Sequence, residues 1–220
     1  MFLGDSLPVG SGLSARRSTD RADHLDPELK QVVCVKYADY NYAMDVCHSD
    51  LVRLILRSAP IEGNHKNILV DIKVHDLKKD EFACLPGWHL DGSNNPKGFE
   101  KKSELHHLFV ASRFALTEFL DTPLDVPIDP NWTFAERSQK LGMLLNEMEL
   151  PIFTIPNCRY VTYDDSFFHR GKQATGDELR LLVRVTESDV IEPQNRVYTP
   201  YTHTKIHKDH IGLLEAKYHI

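Results

Sequence analysis

The sequence predicts a mainly β fold, a double-stranded β-helix of the jelly-roll type with flanking α-helices, and three observations predict it. From Ile68 the apolar side chains fall at every second position, Ile68, Val70, Ile72 and Val74 alternating with Leu69, Asp71, Lys73 and His75, which is the period of a strand. Short β-prone runs follow at 83–89, 104–112, 115–120, 151–155, 159–169 and 179–186, closely joined by turns as in a sandwich or jelly roll rather than by βαβ crossovers. Helical periodicity is confined to a stretch before these runs and one between them.

In order along the chain, residues 1–28 are rich in Gly, Ser, Arg and Asp without a sustained period and are expected to form a flexible N-terminal arm. Residues 29–220 are expected to form a single domain. The β-prone Gln31 to Val35 opens it. Met44 to Ser58 then places Val46, Leu51, Leu54 and Ile55 on one helical face, closed by Pro60 and Gly63. Between the later strands FAERSQKLGMLLNEM, from Phe134 to Met148, reads as one amphipathic helix, with Asp129-Pro130 or Thr133 near its start.

Composition narrows the function. A chain of 220 residues with 41% hydrophobic content can bury one sizeable core. A formal charge of −6 argues against affinity gained by neutralising nucleic-acid phosphates, so no nucleic-acid partner is expected. Cys34, Cys47, Cys84 and Cys158 are widely spaced and form no C-x-x-C pair, so reduced thiols are expected. The opening MFLGDSLPVGSG has no basic stretch followed by a long apolar one, and no run is apolar enough to span a bilayer. A cytoplasmic protein with a small-molecule substrate and no membrane contact is the expectation.

The segment LPGWHLDGSNN sets His89 and Asp91 two residues apart, so on a strand both side chains leave the same face. Two such ligands can share one metal, and a third from a distant strand would complete a facial set of two histidines and a carboxylate that leaves positions on Fe(II) open. His169, near the end of RYVTYDDSFFHRG, is the candidate. The pattern alone is weak, because His-x-Asp also occurs at His24, His48 and His207. Only His89 joins a β-like run to a Gly/Asn loop and is followed by a later strand ending in His and then by a strand bearing arginines. A surface pair at a strand end remains the plain alternative for His89 and Asp91.

On that following strand Arg180, Leu182 and Arg184 share one face, and Leu181, Val183 and Val185 the other. Two guanidinium groups facing an interior would be expensive unless paired, and a dicarboxylate offers them bidentate, charge-assisted bonds. An outward placement on an edge strand is the alternative.

In this order, WHLDG, a distal FFHRG and then an arginine on the next strand, residues 68–186 resemble the Fe(II)/2-oxoglutarate-dependent dioxygenase superfamily. Arg180 lies eleven residues beyond His169 and Arg184 fifteen. The double spacing is similar to the taurine dioxygenase and clavaminate synthase branch, and the single spacing of eleven to phytanoyl-CoA dioxygenase relatives. The chain is shorter than the taurine dioxygenase type, and that branch's long lid insertion has no counterpart that can be placed. The resemblance implies Fe(II) held by His89, Asp91 and His169, 2-oxoglutarate held by Arg180 and by Thr117 of the TEFL segment, and an anionic group of the substrate met by Arg184. It implies that O2 is consumed, that succinate and carbon dioxide are released, and that an unactivated C–H bond is hydroxylated or otherwise oxidised. Because Asp91 is present, oxidation is favoured over halogenation.

Other residues are less committed. Asn94, Asn95 and Lys97 follow Asp91 on a loop suited to substrate contact, Asn95 being the candidate. Trp88 should face away from the ligands into the sheet. Tyr163, Asp165 or Phe167 could orient a ligand from the face of His169. Of His106 and His107 at most one should look inward, and His203, His207 and His210 would share a helical face only in a segment that is not helix-prone. Two further function classes stay open: a cupin-like metalloenzyme that does not use 2-oxoglutarate, and a metal-free jelly-roll binding domain.

Overall fold

The computed structural model describes residues 27–84, 87–91, 104–121, 124, 129, 134–198 and 206–207. The N-terminal arm up to residue 26, the Asn94, Asn95 and Lys97 loop, and His203 and His210 lie outside the described residues. The chain is mainly β, and among the described residues its antiparallel strands form open sheets rather than a closed barrel.

The order is β1 (Cys34–Asp39), α1 (Tyr40–Val46), α2 (Asp50–Arg57), β2 (Asn67–Leu77), β3 (Glu81–Phe82), β4 (Leu105–Ala111), β5 (Thr117–Leu120), α3 (Phe134–Glu147), β6 (Ile152–Thr154), β7 (Tyr160–Asp164), β8 (His169–Gly171), β9 (Glu178–Ser188), β10 (Arg196–Tyr198) and β11 (Ile206–His207). A six-stranded sheet runs β10-β1-β2-β9-β4-β7, a three-stranded sheet β6-β5-β8, and β11 pairs with β3. Single bridges from Phe82 to Gln173 and from His89 to His169 extend the smaller sheet towards the segment that carries His89.

The helical stretch expected over Met44 to Ser58 is two helices. The Asp39 carboxylate caps α1 by accepting from the Asn41 and Tyr42 amides, and the Ser49 hydroxyl caps α2 by accepting from Val52. A second cap so close behind the first helix stops and restarts the chain. Val52, Ile55 and Leu56 are the residues of α2 that are buried, while Leu54 is 44% exposed, so the helix is rotated from the expected face. The predicted α3 matches the Phe134–Glu147 helix within one residue; its Leu141 and Leu145 pack on Trp88, Leu120 and Phe168.

The helical layer covers one face of the six-stranded sheet. Val70, Ile72 and Val74 of β2 and Leu181, Val183 and Val185 of β9 are fully buried against α1 and α2 residues, each side chain contributing about 2 kcal/mol. The alternation read in the sequence therefore places these residues as expected. The opposite face of β2 is not solvated: Asp71 and His75 are buried too, because the smaller sheet lies over it. Phe119 of β5 packs with Leu108, Val110, Val161 and Tyr163 of the large sheet, and its ring meets that of Tyr163 edge-on at 4.7 Å between centroids.

The run expected as one strand over 159–169 is instead β7 and β8, in different sheets. The Asp164 side chain accepts from both the Ser166 amide and the Ser166 hydroxyl, an Asx-type turn that redirects the chain across the sandwich. Of the run expected over 83–89, the described residues show pairing at the His89 bridge alone, β3 ending before it at Phe82.

Candidate functional site

The inner faces of the two sheets enclose a polar cluster. His89 and His169 exchange both backbone hydrogen bonds at 3.0 Å, so their side chains rise side by side with ring centroids 4.4 Å apart. Asp91, two residues on, brings Oδ2 to 3.4 Å from His169 Nε2. The two histidines and the carboxylate singled out in the sequence thus converge. His89 Nδ1 lies 3.1 Å from the Gly87 carbonyl and His169 Nδ1 3.2 Å from the Phe167 carbonyl. Each ring is oriented by the carbonyl two residues earlier, which favours the proton on Nδ1 and leaves Nε2 as the basic nitrogen.

Asp91 is also held from the large sheet. Tyr163 donates its hydroxyl to Oδ2 at 2.6 Å, and Arg184 Nη1 pairs with Oδ1 at 2.6 Å. Burial alone would raise the Asp91 pKa, but Arg184, then His169 and His106, and the Tyr163 hydrogen bond hold it well below the usual carboxylate range. Tyr163 is pushed far the other way, by burial and then by the charge of Asp91, so it remains a proton donor. Of the three residues proposed to support His169 from its own run, Tyr163 does so with its ring, centroids 5.4 Å apart, and Phe167 with its backbone carbonyl.

His169 is in an internally conflicted setting. Its Nδ1 faces one oxygen and its Nε2 another, the carbonyl of Phe167 and the carboxylate of Asp91. A neutral imidazole has one proton for the two. Burial pushes the His169 pKa down to about 3, so the doubly protonated ring that would satisfy both is disfavoured. A cation between Nε2 and Oδ2 removes the conflict. The donor chemistry therefore suits a divalent metal. As the side chains stand, no group of three His, Cys, Asp or Glu among the described residues is arranged around an ion; both Asp91 oxygens are turned to protein partners, and the carboxylate must turn to join the imidazoles.

The two arginines have different roles in the structure. Arg184 is clamped by two carboxylates, Asp91 and Asp71, the latter through Nη2 at 2.5 Å and Nε at 3.2 Å. Asp71 also accepts from the Tyr37 amide at 2.9 Å; Tyr37 sits at φ 49°, at the irregularity where the β1–β2 register shifts. Arg184 is thus committed to the protein's own carboxylates. Arg180 is 2% exposed, donates from Nε to the Ala115 carbonyl at 2.7 Å and from Nη2 to Thr117 Oγ1 at 3.1 Å. Among the described residues no carboxylate pairs with it, and burial lowers its pKa. Thr117 therefore lies beside Arg180, hydrogen-bonded to it.

Sequence reasoning passed over Asp71 and Lys73 and left open which of His106 and His107 looks inward. Their signal was the strand alternation itself, which puts Asp71, Lys73 and His75 on the face opposite the helices; only the assumption that this face was solvated hid them. His106 turns into the inter-sheet space, with its ring centroid 5.0 Å from that of Tyr163 and Nδ1 2.9 Å from Thr186 Oγ1. His107, on the other face, bridges Thr162 and Glu187 at 2.9 Å each. Both are buried, since both faces of the sheet are covered. Trp88 is buried as expected, with the Arg170 guanidinium 4.3 Å from its ring centroid.

Compared with known proteins, the chain matches no family model, no curated protein and no solved structure. No helix among the described residues is long and apolar enough to cross a membrane. The chemistry of the site must therefore be argued from its own residues.

Proposed function

We propose that the chain is an Fe(II)- and 2-oxoglutarate-dependent oxygenase that hydroxylates or otherwise oxidises a small molecule, built on a jelly roll. The fold reading is supported by strand order: β2-β9-β4-β7 in one layer faces the His89 segment, β8, β5 and β6 in the other, so from β2 to β9 the chain crosses between these layers repeatedly, with β5 and β6 pairing within one. The observation that carries the function is that a metal-type donor set and a buried guanidinium with no carboxylate hydrogen-bonded to it among the described residues face the same inter-sheet space.

In this reading His89, Asp91 and His169 hold the iron, which when bound supplies the oxidising chemistry with O2. Arg180 receives the distal carboxylate of 2-oxoglutarate, an anion that pairs with a guanidinium bonded to no carboxylate among the described residues, and Thr117 holds Arg180 and offers the same carboxylate a hydroxyl. Tyr163 and Phe119 orient His169 and keep its surroundings apolar. A specific observation favours a second reading, a metal-free binding domain: Asp91 already has partners on both oxygens.

Thermal shift with Mn(II) in place of Fe(II) separates the two. The oxygenase reading expects 2-oxoglutarate to stabilise the metal-loaded protein and Arg180→Gln to remove that response. Stabilisation by neither metal nor 2-oxoglutarate favours the binding domain.

A further inference from the structure

With Arg184 engaged, another cation is available to recognise a ligand. Lys73 lies on the inner face of β2 between Asp71 and His75, opposite Leu182 in the β2–β9 register. It is therefore diagonal to both Arg180 and Arg184, positions about 7 Å apart on neighbouring strands. Its ammonium makes no hydrogen bond or ion pair to a described residue, and the nearest acidic group on its strand, Asp71, is taken by Arg184 and the Tyr37 amide. Lys73 keeps partial contact with solvent, although protein surrounds it closely enough for burial to lower its pKa. The side chain is thus half-buried on the inner face of β2 rather than sealed in the core. The charges of Asp71, Arg184, Lys36 and Asp91 all act on it, which places it within electrostatic range of the donor set.

An enclosed ammonium without a hydrogen-bonded counter-ion is destabilising unless a ligand completes it. We propose that Lys73 is the anchor for a small oxyanion, a carboxylate or phosphate group, on the molecule that enters the inter-sheet space. Arg184, in contrast, is a fixed support for Asp91 and does not touch that ligand. The inference rests on the oxygenase reading for calling this molecule the substrate. It assigns the substrate class as anionic, and it transfers the recognition of that anion from Arg184 to Lys73.

The test uses the full chain with 13C- and 15N-labelled lysine, the Lys73 side-chain signal being identified by its loss in Lys73→Gln. Formate, acetate, phenylacetate and inorganic phosphate are titrated in turn, with 2-phenylethanol as the uncharged counterpart of phenylacetate. At least one anion should shift the Lys73 signal saturably, and 2-phenylethanol should not. By thermal shift, Lys73→Gln should weaken that anion at least about tenfold while Lys73→Arg stays within about threefold. No shift with any of the four anions overturns the proposal, as does equal binding of 2-phenylethanol or unchanged affinity in Lys73→Gln. Repeating the titrations with Mn(II) and 2-oxoglutarate separates the two readings. An anion effect at Lys73 with no response to Mn(II) and 2-oxoglutarate removes the oxygenase and leaves the anchor. If Lys73→Gln weakens 2-oxoglutarate as much as the anion, Lys73 belongs to the cosubstrate site and the proposal is overturned.

Discussion

Replacing Arg184 with methionine keeps most of its length and apolar stem and removes a charge that the buried Asp71 and half-buried Asp91 carboxylates share. In the folded protein Asp71 loses contacts of 2.5 Å and 3.2 Å and Asp91 one of 2.6 Å. Each keeps one hydrogen bond, Asp71 from the Tyr37 amide and Asp91 from the Tyr163 hydroxyl. Removing one partner of a buried ion pair costs about 3–5 kcal/mol, and the surviving hydrogen bonds place Arg184→Met near the lower end, about 3 kcal/mol. Urea unfolding at neutral pH measures it. The pH dependence gives an independent signature. Both Asp pKa values are lowered in the folded protein, so their stabilisation is present above the ordinary Asp value and is lost as pH falls through the folded values. Without Arg184 those values rise, and acid unfolding should begin at a higher pH. Adding Asp71→Asn to Arg184→Met removes one stranded charge and should recover a good part of the loss. A neutral-pH loss below about 1 kcal/mol, or no recovery in the double variant, would refute the view of Arg184 as an internal counter-ion.

Two further outcomes follow from packing and from titration. A methyl group added at Gly171 would sit 2.6 Å from the Cys84 sulfur, so Gly171→Ala should destabilise by about 1–3 kcal/mol, and adding Cys84→Ala should restore most of it; an unchanged unfolding midpoint in Gly171→Ala contradicts the contact. The buried His106 ring is lowered from 6.5 to about 4, so it is neutral in the folded protein at pH values where the unfolded chain binds a proton. Its contribution is complete above the unfolded value and is lost as pH falls from 6.5 towards about 4, a loss of roughly 3 kcal/mol. Unfolding free energy measured across that window should fall less steeply in His106→Gln than in the wild type, and parallel curves would exclude the effect.

Strand periodicity carried most of the fold because it records burial directly. Val70, Ile72, Val74, Leu181, Val183 and Val185 are apolar since the helices cover them, and Arg180 and Arg184 share the other face for the same geometric reason. The pattern could not say that this other face is also enclosed, since Asp71, Lys73 and His75 look like solvent-facing residues until a second sheet lies over them. The crossing at 165–168 was hidden because a β-prone run does not reveal a turn closed by the Asp164 side chain. His89, Asp91 and His169 were legible through order and spacing, whereas the assignment of Arg184 to a ligand failed to foresee its clamp: its partners Asp71 and Asp91 lie 113 and 93 positions away, and pairing at that separation is set by register.

The proposed 2-oxoglutarate-dependent oxidation at the inter-sheet cluster is most directly tested by its coproduct. Purified protein supplied with Fe(II), ascorbate, O2 and 2-oxoglutarate should release succinate, even in the absence of a prime substrate, and His169→Ala and Arg180→Gln should each abolish that release while remaining folded. Absence of succinate from the wild type, or release undiminished in both variants, would contradict it.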